Sequence, residues 1–338
     1  MVQSPQAMFL HDEIQRQPTE VQRILSSPID QALNPDRPIR FIGIGTSLHA
    51  CRVAEFWLRE ATGDQINVRA EEAHYFALHG TITPETQIVV VSHRGTKRFP
   101  NEVLLRARAV GSRTIAITSD SKASPTADYV LRTCSPDKSS THTVSYTSAL
   151  AVLARLVMNT LPKESEDLRV ALQDTPRQMR FGLQLAIPDE VRNALVHSSR
   201  VLVTGFGIDA ITADEAALKL KEGTYKWADS LTTEFALHGP PASYDDTLCA
   251  LLIQPTADDG GRAQTLESVL RSVGAYAWTV GVEGFVRTAE CHALARPFIT
   301  VLPFQQTVAN VADDMGTNPD SIRTDTEPWK TAMTSFQL

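Results

Sequence analysis

A chain of 338 residues, 42% hydrophobic and 21% charged, is long enough to bury the cores of two ordinary α/β domains. Its formal net charge of -7 lacks the basic footprint of a nucleic-acid binder, so any anion has to be met by a local cluster of cations. The cysteines Cys51, Cys134, Cys249 and Cys291 form no CxxC pair, which indicates neither a zinc site nor a disulfide framework. Met1 is followed by a polar stretch, and no apolar run approaches the roughly 18 residues of a membrane span. A cytoplasmic protein without nucleic-acid or membrane partners is expected.

In chain order, residues 1–35 read as a helical segment. Strand-like runs then alternate with helical ones: "IRFIGIG" (39–45), "QIVVVS" (87–92) and "RTIAIT" (113–118), followed by "RVLVTGFG" (200–207), "LCALLIQ" (248–254), "YAWTVGV" (276–282) and "FITVLP" (298–303). Apolar runs of this length between helical patterns predict parallel sheets covered by helices on both faces. The chain also repeats itself. In each half a strand ends in Gly-x-Gly and opens a helix, "GIGTSLHACRVAEFWLREA" and then "GFGIDAITADEAALKLKEG", at a spacing of about 160 residues. The expected organisation is two doubly wound parallel-sheet domains, 36–163 and 196–311, with a helical connector at 164–195 and a tail at 312–338 that is ordered only if something holds it.

Neither Gly-x-Gly extends to the dinucleotide fingerprint, because Leu48 and Ala210 stand where its third glycine would be, and no cofactor is expected. The first copy instead places the hydroxyls of Thr46 and Ser47 after Gly45 at a helix start, suited either to capping the helix or to holding a phosphate. The next strand ends in Ser92, His93, Arg94, Gly95, Thr96 and Lys97, a turn rich in hydroxyls and cations before another helix. Ligands in open α/β sheets bind outside the carboxyl ends of strands, so these two loops predict a shared anion crevice, although each cation alone would suit a solvated loop. The polar run "KSSTHTVSYTS" (138–148) would complete it.

In the second copy Glu215, Lys219 and Glu222 recur at spacings of four and three, an acid–base–acid row on one helix face. Such a row is usually solvated. Here Ala216, Ala217, Leu218 and Leu220 flank it, and His238 follows on a Gly-Pro-Pro turn. A carboxylate and a histidine are the two groups an aldose–ketose isomerase needs, one to open the ring and one to move a proton between C1 and C2.

With these motifs in place, "HDEIQRQP" (11–18), "GIGTS" (43–47), the Ser-x-x-Gly turn at 92–95, "DEAALKLKEGTYKWAD" and "EFALHGP" resemble, in order and spacing, the double sugar isomerase (SIS) domains of glucosamine-6-phosphate synthase and its relatives. The resemblance implies a homodimer with a shared active site and a sugar-phosphate substrate. It implies Ser47 and Ser92 as phosphate ligands, Glu222 as the C1/C2 base, and His238 as the ring-opening group of the neighbouring subunit. Glu215 and Lys219 match supporting positions, and His142-Thr143 align with a Ser-Thr pair. Departures are equally plain. The family turn Ser-Gln-Ser-Gly-Glu/Asp-Thr carries His93, Arg94, Thr96 and Lys97, a lysine before His-Gly-Pro is Leu237, and the tail lysine position holds Glu327, with Lys330 further on. No cysteine stands near the start to serve an amidohydrolase domain, so glutamine-dependent synthesis is not expected. The implied function is a sugar-phosphate isomerase, amino-sugar phosphate deaminase or deglycase without a metal. The alternatives are a non-catalytic sugar-phosphate sensor and a recruited biosynthetic enzyme on a modified sugar.

Overall fold

The β-branched runs form the inner strands of two parallel sheets, and a computed structural model describes residues 8–336. The first helix, α1 (Phe9–Leu25), buries Leu10, Ile14, Val21 and Ile24 along one stripe at helical spacing. Two compact units follow from the chain's contacts. One comprises residues 16–137, 143–173 and 332–336; the other comprises residues 8–15, 138–142 and 174–331.

In the first unit the chain runs β1 (Ile39–Gly43), α2 (Thr46–Thr62), β2 (Val68–Glu72), α3 (Ala73–His79), β3 (Gln87–Val91), α4 (Arg98–Ala109), β4 (Arg113–Thr118), β5 (Tyr129–Arg132), α5 (Val144–Thr160) and α6 (Glu166–Gln173). The strand order is β2-β1-β3-β4-β5 and every pairing is parallel. β3 is buried along its whole length, which explains its unbroken apolar run. Helix α5 is buried on nearly every side and packs against α2.

The second unit continues with α7 (Thr175–Gly182), α8 (Asp189–His197), β6 (Arg200–Gly205), α9 (Ile208–Thr224), β7 (Trp227–Thr232), β8 (Leu248–Ile253), α10 (Arg262–Ser272), β9 (Tyr276–Gly281), β10 (Val286–Arg287), α11 (Arg296–Ile299) and α12 (Val301–Met315), and α13 (Trp329–Thr334) closes the chain. Its sheet has the order β10-β9-β8-β6-β7, again all parallel. Read from β7, this is the order of the first sheet. In both, the winding reverses next to the first strand, between β1 and β3 and between β6 and β8, which are the switch points where such folds bind ligands. The doubly wound α/β class expected from the sequence is therefore the one observed.

The repeat extends to the backbone. Gly45 has φ 54° and ψ -131°, and Gly207 has φ 58° and ψ -128°, left-handed values that favour glycine in both loops. A Cβ on Gly43 would lie 2.6 Å from the backbone of Ser47 and Leu48, and one on Gly205 would lie 2.3 Å from the Asp209 carbonyl oxygen. Each strand end thus presses on the first turn of the helix it opens.

Two readings need correction. "FITVLP" is not a strand: Phe298 and Ile299 belong to α11, and Val301–Pro303 open α12. Its β-branched composition reflects burial on all sides, which apolar helices and inner strands share. Helix α12 also carries the periodic region to Met315, beyond the expected start of the tail. The tail from Gly316 is held: Pro319 O accepts from Thr141 N and Oγ1 (3.2 and 2.8 Å), and the Asp320 carboxylate accepts from Phe9 N and Leu10 N (2.7 and 3.1 Å).

Candidate functional site

The turn after β3 is a built structure. Gly95 N donates to Ser92 O (2.9 Å), and Gly95, at φ 66°, sits so close to β4 that a Cβ would be 2.9 Å from Thr118 Oγ1. His93 O accepts from Ser119 N (2.9 Å) and Thr118 Oγ1 (3.0 Å). The His93 ring lies with Nε2 3.3 Å from both the backbone nitrogen and Oδ1 of Asp137. Asp137 in turn accepts on Oδ2 from Thr143 N (3.0 Å) and Ser145 Oγ (3.2 Å), so it caps α5. His93, expected as a ligand, thereby ties the turn to the start of α5.

Within this frame Ser92 and Thr143 have buried hydroxyls without a hydrogen-bond partner among the described residues. A buried unpaired hydroxyl costs free energy that a bound acceptor would return. Arg94 is exposed, Lys97 is half-buried, and neither forms an ion pair among the described residues. Burial, and then the Arg94 charge beside it, hold the Lys97 ammonium below its ordinary pKa. Two uncompensated cations, the Ser92 hydroxyl and the α5 terminus suit an anion. The loop with Gly45, Thr46 and Ser47 ends the strand next to β3, since Ile42 pairs with Val90.

In the second unit, α9 carries the charged row into the interior. Glu215 and Lys219 are 0% and 1% exposed in their side chains, whereas Glu222 is 22% exposed. Lys219 Nζ lies 3.6 Å from Glu215 Oε1 and 2.6 Å from Glu222 Oε2. The row is therefore no solvated face. A buried ammonium holds one carboxylate behind it and presents another towards solvent, which fixes the direction of Glu222. Gly223 lets α12 approach, because a Cβ there would meet Val308 Cγ1 at 2.2 Å.

His238 stands apart from that row on the Gly-Pro-Pro turn, with its ring 70% exposed and Nε2 2.7 Å from Glu234 Oε1. Glu234 also pairs with Arg262, and these two hydrogen bonds, Arg262 first, hold its carboxyl below the usual range. His142 lies in a loop clamped by the Glu13 carboxylate, which accepts from Lys138 N and Ser139 N, and by the Pro319 carbonyl. Lys330 lies on α13 and makes a backbone bond to Thr326 O (2.9 Å). The sequence reading passed over Asp137. A lone aspartate ahead of a run of hydroxyl residues and an apolar helix was its one signal, and which helix it caps depends on the folded loop.

These features define a doubly wound α/β protein with a turn rich in hydroxyls and cations at its first switch point and a buried acid–base row in its second half. Comparison with known proteins agrees. Residues 32–158 match the SIS domain. Along the chain it is similar to the glutamine–fructose-6-phosphate aminotransferases (isomerizing) of Symbiobacterium thermophilum, 26% identical over 94% of this chain and 58% of the relative, and Thermococcus kodakarensis, 26% identical over 93% and 56%. The chain thus spans less than two thirds of the length of these relatives. Its fold is that of the C-terminal domain of glucosamine-fructose-6-phosphate aminotransferase from Francisella tularensis (TM-score 0.80, 18% identity, 93% of this chain and 98% of the other). It is also that of the tagatose-6-phosphate ketose/aldose isomerase of Escherichia coli (TM-score 0.73, 17% identity, 97% and 99%) and of the glucosamine-6-phosphate deaminase of Thermotoga maritima (TM-score 0.72, 18% identity, 93% and 97%).

Proposed function

We propose that the chain is a double SIS-domain enzyme that binds a sugar phosphate, probed first with ketose and amino-sugar phosphates, and moves a proton between C1 and C2. The observation that carries this reading is the partly exposed end of the α9 row: of its two acids Glu222 is the one that reaches solvent, and a buried lysine 2.6 Å away holds it. Ser47, Ser92, Arg94 and Lys97 take the phosphate. Glu222 removes the proton from the carbon beside the carbonyl, leaving an enediol, and returns it to the neighbouring carbon. With an amine in place of the C2 hydroxyl, the same transfer gives a ketimine, which water hydrolyses to the ketose and ammonia. His238 opens the ring in the site of a second copy, in keeping with its exposed position, and Lys219 orients Glu222.

The test has two parts. A panel of sugar phosphates is screened by thermal shift, where a ligand at about 100 times its Kd adds roughly 2.7 kcal/mol. For the best binder, exchange of the C1 or C2 hydrogen with deuterated water is followed by NMR. Glu222→Gln should leave binding nearly unchanged and slow exchange by about 10²–10⁴-fold. Exchange that persists in the variant removes Glu222 from the chemistry. A binding-only sensor is the second reading, favoured by the engagement of His238 with Glu234; it is selected if the wild type binds a sugar phosphate and never exchanges.

A further inference from the structure

The second sheet has its own switch point, and a cavity of about 610 Å³ opens at the carboxyl ends of β8 and β9 beside it. That volume is in the range of small-molecule sites. The chemistry here differs from that of the first sheet. At the helix position that Ser47 takes after the first Gly-x-Gly, the second loop has Asp209, 2% exposed, whose oxygens accept from Arg296 Nε at 2.9 and 2.8 Å. Arg296, itself 3% exposed, also donates from Nη2 to Gln254 O (2.8 Å), so it ties both switch-point loops together beneath the cavity. Burial pushes the Asp209 carboxyl up and the guanidinium opposes this.

Among the described residues Arg296 is the one cation on the cavity wall, and Asp209 already balances it. Asp259, Glu267 and Glu283 line the same space, together with the neutral donors and acceptors Gln254, Thr256 and Gln264. Asp259 is fixed as an acceptor, bonding Gly261 N (3.0 Å) and Ala263 N (2.8 Å) at the start of α10. Gly281 gives Gln254 its room: a Cβ there would stand 2.5 Å from Gln254 Oε1. Glu267 and Glu283 pair with Arg271 (2.8 Å) and Arg287 (3.0 Å), which are not part of the lining, so a phosphate would meet three carboxylates and, among the described residues, no uncompensated cation. A hydroxyl-rich amine would find amides and a hydroxyl for its hydroxyl groups and carboxylates for its ammonium.

We propose that this cavity is a second ligand site, for a small polyhydroxylated amine without a phosphate group, built on the switch point of the second sheet. It does not rest on the proposed reaction.

The probe is glucosamine, titrated by saturation-transfer NMR against full-length protein carrying Ser92→Ala and Arg94→Ala, which disables the anion turn. Binding is expected to persist there, with glucose 6-phosphate failing to compete and glucose binding more weakly. Thr256→Trp, which fills the cavity, should abolish binding. Glu267→Gln with Glu283→Gln, at a partly buried and an exposed position, should weaken glucosamine by roughly 3- to 10-fold at low salt and leave glucose unchanged, the scale of two screened charge contacts. No binding of glucosamine, binding that survives Thr256→Trp, or competition by glucose 6-phosphate would each overturn the proposal. Failure of the sugar-phosphate exchange assay would leave it standing, because neither the ligand nor the residues are shared.

Discussion

Replacing Lys219 by Met keeps the length of the side chain and removes its charge from between two carboxylates. The ammonium stands 3.6 Å from a carboxylate that is 0% exposed and 2.6 Å from one that is 22% exposed. At an effective dielectric of about 20 the first separation alone corresponds to roughly 4.6 kcal/mol of attraction, most of it offset in the wild type by the cost of burying the charges. Glu215 loses this attraction in the variant. Breaking a buried pair by removing one partner costs about 3–5 kcal/mol. At roughly 2–4 °C per kcal/mol for a unit of this size, the melting midpoint should fall by about 6–20 °C. The pH dependence gives a second handle. A desolvated Glu215 that has lost this cation has a folded pKa raised above its unfolded value, so the penalty is absent below the unfolded pKa of about 4.3 and grows as pH rises above it. The deficit should therefore be largest near neutrality and shrink towards pH 5. The double variant Lys219→Met with Glu215→Leu should recover most of the loss. Thermal unfolding followed by circular dichroism at several pH values checks this. A deficit under about 1 kcal/mol, or one independent of pH, would refute the account of α9 as a buried charge row.

Arg94→Ala should weaken sugar-phosphate binding by roughly 10- to 150-fold in calorimetric titration, the scale of one charge-assisted hydrogen bond; unchanged affinity would make Arg94 a solvated surface cation. Because burial and Arg94 lower the Lys97 pKa from 10.5, the free protein releases that proton early, and a bound anion restores it. Affinity should be full below the lowered pKa and decline as pH rises through it, and a dissociation constant flat up to pH 10.5 would contradict this. Burial pushes the thiols of Cys134 to about 11 and of Cys249 and Cys291 to about 12, and raises Cys51 further, so a thiol reagent at pH 8 should label the native protein slowly and all four cysteines once it is denatured. Mixing inactive His238→Ala and Glu222→Gln chains under conditions of subunit exchange should restore part of the activity, and no recovery would place both groups in the service of one chain.

The inner strands were legible because burial on both faces writes itself as a continuous apolar run, as in Gln87–Val91 and Leu248–Ile253. The edge strands were not. β2 reads Val-Arg-Ala-Glu-Glu, β7 reads Trp-Ala-Asp-Ser-Leu-Thr, and β10 has two residues, so their pairing is set by the neighbouring strand rather than by their own composition. "FITVLP" failed in the opposite sense, as an apolar run whose period could not separate a strand from a buried helix. Of the candidate site, the charged row on α9 was visible from spacing, but its burial was not, since that depends on α12 coming close over Gly223. The tie between His93 and Asp137 joins residues 44 apart, and that between Asp209 and Arg296 joins residues 87 apart. Such contacts follow from the folded loops and leave no periodicity to read.

The two Gly-x-Gly loops show how one backbone carries two chemistries. Gly45 and Gly207 share their dihedral angles, and Gly43 and Gly205 make the same close approach to the helix they precede. A helix start of this kind favours negative charge, because its first N–H groups lack partners and its dipole end is positive. In the first half the uncharged Thr46 and Ser47 follow. In the second half Ile208 and Asp209 follow instead, and the chain supplies its own anion, held by Arg296 with bonds of 2.8 and 2.9 Å. A helix start that already carries a carboxylate disfavours a phosphate, so a ligand at the second switch point has to be recognised by other means. The carboxylates and amides around the β8 and β9 ends are the groups left to do it.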